Sequence, residues 1–458
     1  MMKLSKKLMI PVLGASLLMP TIANAEEAKP TAVTKASDLR ANLDYLLSEH
    51  FTLAVAAMTT AYDGSKDADA AFKALDQNAV DMEPAIASIY GDKGAAEFER
   101  IFREHNNYTD DFVKATKEND KEAMAEVDKE VDQFMNEFAK FLSTATEGKL
   151  PEDAAKEALR VHEDQVKEAL RVHEDQVKET FEDYVEGDYE AAAKTYREGY
   201  QQMFAISKAL SNAIVTQMPD KFDNTKVDTP AADLRSSLNS LAAEHFALAT
   251  MGMEKGFNGS KDYDYVSWLE NANTADFKAA IGSVYGDEGA AQFEKIWQGD
   301  HINAQAELVS AQVKGDEAGE KAAKDKLHKF AQEFGTFLGT ATDGNLPTAD
   351  AQAAIKAHED TVIKTFEQYA SGDYAGSYDT YREGYKLMFG VGQALGEAIV
   401  KQNPDKFAET AMPTDMPKTG MGGASESTMN PLTAIYIALG SLAVLTAGVI
   451  LRKKPVSK

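Results

Sequence analysis

Six histidines of this chain fall into three matched pairs, and matched imidazoles on helices are a means of holding a metal. His50 is answered by His245 at an offset of 195 residues, and His105 by His301 at 196. His358 has two candidate partners. Counting from Pro151 and Pro347 gives His162; counting back from Phe181 and Phe366 gives His173. The segment after His173, through Gly187-Asp188 into the last helix, is the best preserved between the two halves and favours that residue. Of the eight histidines, His328 alone has no counterpart. Each matched position lies in or beside an apolar stripe: His50 follows Leu46 and Leu47, His105 follows Ile101 and Phe102, and His358 lies between Ile355 and Val362.

Neutral imidazole is a ligand for zinc, copper or haem iron. Three rings from three helices, all facing inward, would meet at one point in a bundle. The expected metal residues are therefore His50, His105 and His162 or His173 in the first half, and His245, His301 and His358 in the second. Copper or zinc is the expected ion, with haem as the alternative. An acid stands beside each ring: Glu49, Glu104, Glu163, Glu244, Asp300 and Glu359. A neighbouring residue on a helix is turned by about 100°, so these acids are expected to orient rings or draw cations, not to share the ion. Tyr200 with Met203, and Tyr385 with Met388, are candidates for a further ligand or a lid. The competing reading is a structural or adhesive surface protein whose histidines are core residues satisfied by carboxylates.

Several other chemistries are excluded. The chain has no cysteine, hence no disulfide, thiolate metal site or covalent haem attachment. No Glu-x-x-His, HExxH, EF-hand loop, P-loop, GxGxxG or GxSxG occurs. No nucleophile or acid–base pair stands out, and no enzymatic activity is expected. The formal net charge of −26 repels phosphates, so nucleic acid is not an expected partner.

The elements that must position the histidines come in two repeats. Asp38-Leu39-Arg40, Glu49-His50-Phe51 and Tyr90-Gly91-Asp92 all return 195 residues later, Thr144-Ala145-Thr146 returns at 196, and Thr195 to Tyr200 returns at 185 as Thr380 to Tyr385. Repeat 1 spans 36–222, a polar linker 223–230, and repeat 2 231–407. Three-four spacing of Leu43, Leu46, Leu47, Phe51 and Met58, of Phe98, Ile101, Phe102, Tyr108 and Phe112, and of Val131, Phe134, Phe138 and Phe141 predicts amphipathic helices. Breaks are expected at Asp63-Gly64-Ser65, Gly91-Asp92, Gly148 to Pro151 and Gly187-Asp188. The fold class is all-α, two tandem up-and-down bundles, expected to be independent and joined by a hinge at 223–230. The fall in offset from 196 to 185 is the length of a phrase written twice, EALRVHEDQVKEALRVHEDQVK from Glu157 to Lys178. Eleven residues make three helical turns with only about 20° left over, so a helix gains the phrase without rotating its apolar stripe.

Both ends read as addresses. Lys3, Lys6 and Lys7, an apolar stretch from Leu8 to Met19, and Ala23-Asn24-Ala25 make a secretory signal peptide over 1–25, with Ala23 and Ala25 at the cleavage site. Near the other end, a Pro-, Gly- and Ser-rich stalk over 408–430 carries Met416-Pro417-Lys418-Thr419-Gly420. An uncharged stretch over 432–451 and a basic tail over 452–458 follow. This order resembles the LPXTG sorting signal of Gram-positive surface proteins, with Met416 in place of leucine. The resemblance implies cleavage after Thr419 by a sortase, attachment to peptidoglycan, and a membrane contact only through 432–451 before cleavage. The stretches LLSEHF (46–51), AYDGSKD (61–67), ASIYGDKGAAEFERIF (87–102) and GDYEAAAKTYREGYQQMF (187–204) resemble a family of Gram-positive surface repeat proteins. Some of those are labelled copper amine oxidases. The catalytic motifs that label requires are absent: Asn107-Tyr108 is followed by Thr109, and no two histidines stand two apart.

Overall fold

The computed structural model of the chain describes residues 29–146 and 152–408, with the side chains of 139, 142–168, 299 and 300 outside that description. The signal peptide with Ala23 and Ala25, the stalk beyond Ala408 with Met416 to Gly420, the 432–451 stretch and the basic tail all lie outside the described residues. So does the expected break from Gly148 to Pro151. Among the described residues no helix is long and apolar enough to cross a membrane.

Five helices build repeat 1: α1 (Lys35–Asp63), α2 (Ala68–Glu118), α3 (Lys121–Thr146), α4 (Glu152–Glu186) and α5 (Tyr189–Gln217). Six build repeat 2: α6 (Pro230–Asn258), α7 (Tyr263–Ile296), α8 (Asn303–Lys314), α9 (Glu317–Ala341), α10 (Thr348–Ser371) and α11 (Tyr374–Gln402). No strand occurs among the described residues. Each helix packs on its neighbour in sequence, except that α8 continues α7 through a π-helical turn, and α5 and α11 close back on α1 and α6, which gives two up-and-down bundles as the periodicity predicts.

The turns follow from local chemistry. The Thr34 hydroxyl accepts from the Ser37 N–H while the Ser37 hydroxyl accepts from the Thr34 N–H, a reciprocal cap that starts α1. Thr229 caps α6, whose first residue is Pro230. Asp188 and Asp373 cap the last helix of each repeat. The expected break at Gly91-Asp92 is a kink within α2, where Gly91 takes φ 77°, and Gly286 repeats it at φ 74° in α7. A side chain at either position would be strained.

Two features of the repeat arithmetic become visible as geometry. The one-residue step from offset 195 to 196 falls between Phe102/Trp297 and His105/His301. There repeat 2 has a π-helical turn, Trp297–Ile302, where repeat 1 keeps one continuous helix. A π-bulge is how a helix absorbs one extra residue. The doubled phrase appears as length: α4 has 35 residues and α10 has 24, a difference of 11.

The two bundles, expected to be independent and joined by a hinge, share a core in the structure. One core cluster joins Tyr45, Phe51, Tyr200 and Phe204 of repeat 1 to Phe246, Tyr381, Tyr385 and Phe389 of repeat 2. The ion pairs across the contact are mirrored. Arg40 pairs with Asp233 at 2.5 Å, and Arg235 with Asp38 at 2.6 Å. Tyr200 donates to the Ser240 carbonyl at 3.0 Å, and Tyr385 to the Ser48 hydroxyl at 2.7 Å. The linker is tied down too, since Lys208 pairs with Asp228 at 2.7 Å and Val227 is fully buried. Sequence periodicity marks the apolar face of each helix but not which bundle covers it, so the shared face stays hidden at that level.

Candidate metal centre

Each bundle brings three histidines together in its interior. In repeat 1 they are His50 from α1, His105 from α2 and His173 from α4; in repeat 2, His245 from α6, His301 from the π-helical turn and His358 from α10. In each set, one nitrogen per ring lies within 4.8 Å of those of the other two. All six residues are buried. Ring centroids are 5.4, 5.8 and 6.3 Å apart in the first set, and 5.1, 5.3 and 6.0 Å in the second. The closest approach is 3.1 Å, between Nε2 of His245 and Nε2 of His301. Donors around a tetrahedral zinc, with bonds of about 2.0–2.1 Å, sit roughly 3.4 Å apart, close to the His245–His301 separation.

The rings are short of partners. Both nitrogens of His50 and of His358, and Nδ1 of His105 and His173, have no hydrogen bond among the described residues. An unpaired buried polar atom costs about 1–3 kcal/mol, and so many in one place call for a ligand. Five of the rings are also kept neutral, the form that binds metal. Burial pushes His105 down to about 3, with His173 beside it adding to the effect. It pushes His173 and His358 down to about 4, and His50 and His245 well below the usual imidazole value.

A carboxylate accompanies each triad. Glu359 Oε1 lies 3.1 Å from His301 Nδ1 and 3.8 Å from His358 Nε2. Its counterpart Glu174 has Oε1 3.6 Å from His105 Nε2 and 4.0 Å from His173 Nε2. Burial raises the Glu174 carboxyl to about 8, with Asp175 adding to it. Glu163, the acid expected in this role from the sequence, is the neighbour of His162. With His173 in the triad, the acid beside it is Glu174.

Aromatic rings fix the imidazoles from behind. Phe134 stacks on His105 with centroids 4.1 Å apart and planes at 14°, and Phe330 stacks on His301 at 4.3 Å and 16°. Phe134, a stripe residue in the sequence, returns as Phe330 at the same offset of 196 as His105.

The other candidates fall elsewhere. His162 is on α4 eleven residues before His173, roughly 16 Å away along the axis, and its side chain lies outside the described residues, as do those of Glu163 and Asp300. Glu104 pairs with Arg100 on the surface at 2.8 Å. Glu49 and Glu244 turn away from the rings toward arginines of the opposite repeat. Tyr200 and Tyr385 belong to the contact between repeats and are neither ligands nor lids. His328 is on the surface, 2.9 Å from Asp360. An apolar cavity of about 40 Å³ touches His245, His358 and Trp297.

The chain was compared with protein-family models, curated proteins and solved structures, and no match was found.

Proposed function

We propose that this protein is a metal-binding protein displayed on the wall of a Gram-positive cell, each repeat holding one divalent transition-metal ion through three imidazoles. One observation carries the reading: two buried histidine triads, each drawn from three different elements, whose ring nitrogens are largely without partners. Nitrogen donors with a carboxylate nearby, and no thiolate, suit zinc(II) or copper(II). Glu174 and Glu359 would hold the ring N–H groups or complete the ligand set, and their negative charge offsets that of the ion. Display on the wall is supported by the order of elements at the two ends of the sequence: signal peptide, stalk with Met416 to Gly420, apolar stretch and basic tail. The acidic surface would concentrate cations near the sites.

Metal analysis tests the binding. The mature chain, stripped with a chelator, reloaded with zinc(II) or copper(II) and passed through a desalting column, retains two ions. His50→Ala and His245→Ala each remove one. A wild-type chain that retains none supports instead a structural surface protein with histidines in its core. Mass spectrometry of protein released from the wall tests the display: the C-terminal residue is Thr419 bearing wall peptide, whereas an intact Lys458 refutes it.

A further inference from the structure

Glu49 and Glu244 each precede a triad histidine, and neither acid serves its own bundle alone. The Arg382 guanidinium, from α11 of repeat 2, donates to Glu49 at 2.9 Å and to Asp81 at 2.8 Å. Glu49 is fully buried and also accepts from the Asn78 side chain at 2.7 Å. Arg382 thereby grips α1 and α2 together, the helices that carry His50 and His105. The other repeat has the corresponding grip, with one more hydrogen bond. Arg197, from α5 of repeat 1, donates through Nε and Nη2 to the two oxygens of Glu244 at 2.8 and 2.9 Å, and to Asp276 at 2.8 Å. Glu244 accepts from Asn273 at 2.8 Å, so Arg197 grips α6, which carries His245, to the part of α7 that precedes its kink at Gly286.

We infer that Arg382 and Arg197 are positioning residues acting in trans, each setting the histidines of the opposite repeat's metal centre. The inference rests on the metal-binding reading above. The physical argument is local. Glu49 is turned about 100° from His50 on the same helix, so the arginine holds the back of the helix whose front carries the ring. A buried carboxylate that loses its cation must move or take a proton, and His50 moves with its backbone. Ligand atoms must stay within a few tenths of an ångström of their places to bind tightly, so small displacements of α1 or α6 register as lost affinity. Arg382 and Arg197 point away from the triads of their own repeats, which predicts an effect on the far site only.

The test measures each site alone in the full mature chain. His245→Ala with His301→Ala leaves the first site; His50→Ala with His105→Ala leaves the second. Zinc(II) affinity is read by competition with a chromophoric chelator. Arg382→Ala should weaken the first site by about 10–100-fold, as loss of a supporting contact does, and leave the second within about 3-fold. Arg197→Ala should do the reverse. A general loss of structure would weaken both sites, so the crossed pattern separates positioning from folding. Where Arg382→Ala alone unfolds, Arg382→Ala with Glu49→Gln leaves no buried charge unpaired and should recover most of the first site's affinity. Equal effects on both sites, an effect on the near site only, no effect, or a folded double variant without recovery each overturn the inference. Absence of zinc binding in both parent chains with the arginines intact overturns the metal-binding reading itself and the inference with it.

Discussion

Removing one copy of the doubled phrase should leave both metal centres intact. Deleting residues 157–167 or 168–178 yields the same polypeptide, because the two copies are identical. The surviving histidine and glutamate then stand eight and seven residues before the phenylalanine that is now Phe181, as His173 and Glu174 do. The deletion shortens α4 from its 35 residues to the 24 of α10, by roughly 16 Å. Eleven steps of about 100° leave a rotation of only about 20°, whereas removing ten residues would turn the upstream part of the helix by about 80° the other way. The upstream half of α4 therefore keeps nearly its rotational register after the eleven-residue deletion and loses it after the ten-residue one. Metal stoichiometry should remain two per chain in the first variant, with zinc affinity within about 3-fold of the parent. Helical circular dichroism should fall by the eleven residues lost, and the melting curve should stay cooperative. The companion point variants are asymmetric. His173→Ala loses the first site, with a drop greater than the 10–100-fold range of supporting contacts, and His162→Ala keeps it. Loss of the first site on deletion of eleven residues, or equal losses from the two alanine variants, would refute the register that puts His173 in the triad.

Other outcomes follow from the same geometry. Gly384 lies so close to the Phe246 ring that a Cβ would overlap it, and Gly199 does the same to Phe51; Gly384→Ala should cost about 1–3 kcal/mol by overpacking, read as a lower midpoint in chemical denaturation. His328→Ala should leave metal content unchanged, since that ring faces Asp360 on the surface. The metal-free protein should lose stability as pH rises from about 6.5 to 8. Below about pH 6.5 the unfolded chain protonates histidines that the folded chain keeps neutral down to about 3 for His105 and about 4 for His173 and His358. Each such ring removes up to about 1.4 kcal/mol per pH unit as pH falls between its unfolded and folded values. Burial raises Glu174 and Glu254 to about 8 and Glu270 to about 7, so the stability they supply in protonated form is lost as pH rises from the unfolded value of about 4.3 to those values. The three rings and the three carboxyls offset each other below about pH 6.5, and above it only the carboxyl loss remains. Urea denaturation from pH 5 to 8.5 checks it, and a profile rising steadily across that range would contradict the assignment.

The histidine pairs were legible because duplication places the same chemistry at the same helical positions twice, and periodicity shows which face each ring shares with Leu46, Phe102 or Ile355. The choice of His173 was legible only from its downstream neighbours, and Glu163 was named in place of Glu174 for want of that register. The step from 195 to 196 was present in the numbers, yet nothing in residue types says that a π-helical turn absorbs it; that depends on holding His301 against His245. The contact between repeats was hidden for a different reason. Arg382 and Glu49 are 333 residues apart, and an arginine in an acidic helical protein reads as one more solvated charge until its partner is known to be buried. The absence of strands and the helical breaks at Gly64, Gly91 and Gly187 needed no such long-range information, because left-handed backbone at glycine is local.

X-ray absorption at the metal edge of the zinc-loaded mature chain tests the central claim most directly. The account predicts two zinc ions per chain, each with imidazole scattering from three rings and nitrogen or oxygen neighbours at about 2.0–2.1 Å. His245→Ala should remove one ion and leave the spectrum of the other unchanged. A spectrum of oxygen neighbours without imidazole scattering would place the metal on the acidic surface and leave the triads as packing in the core.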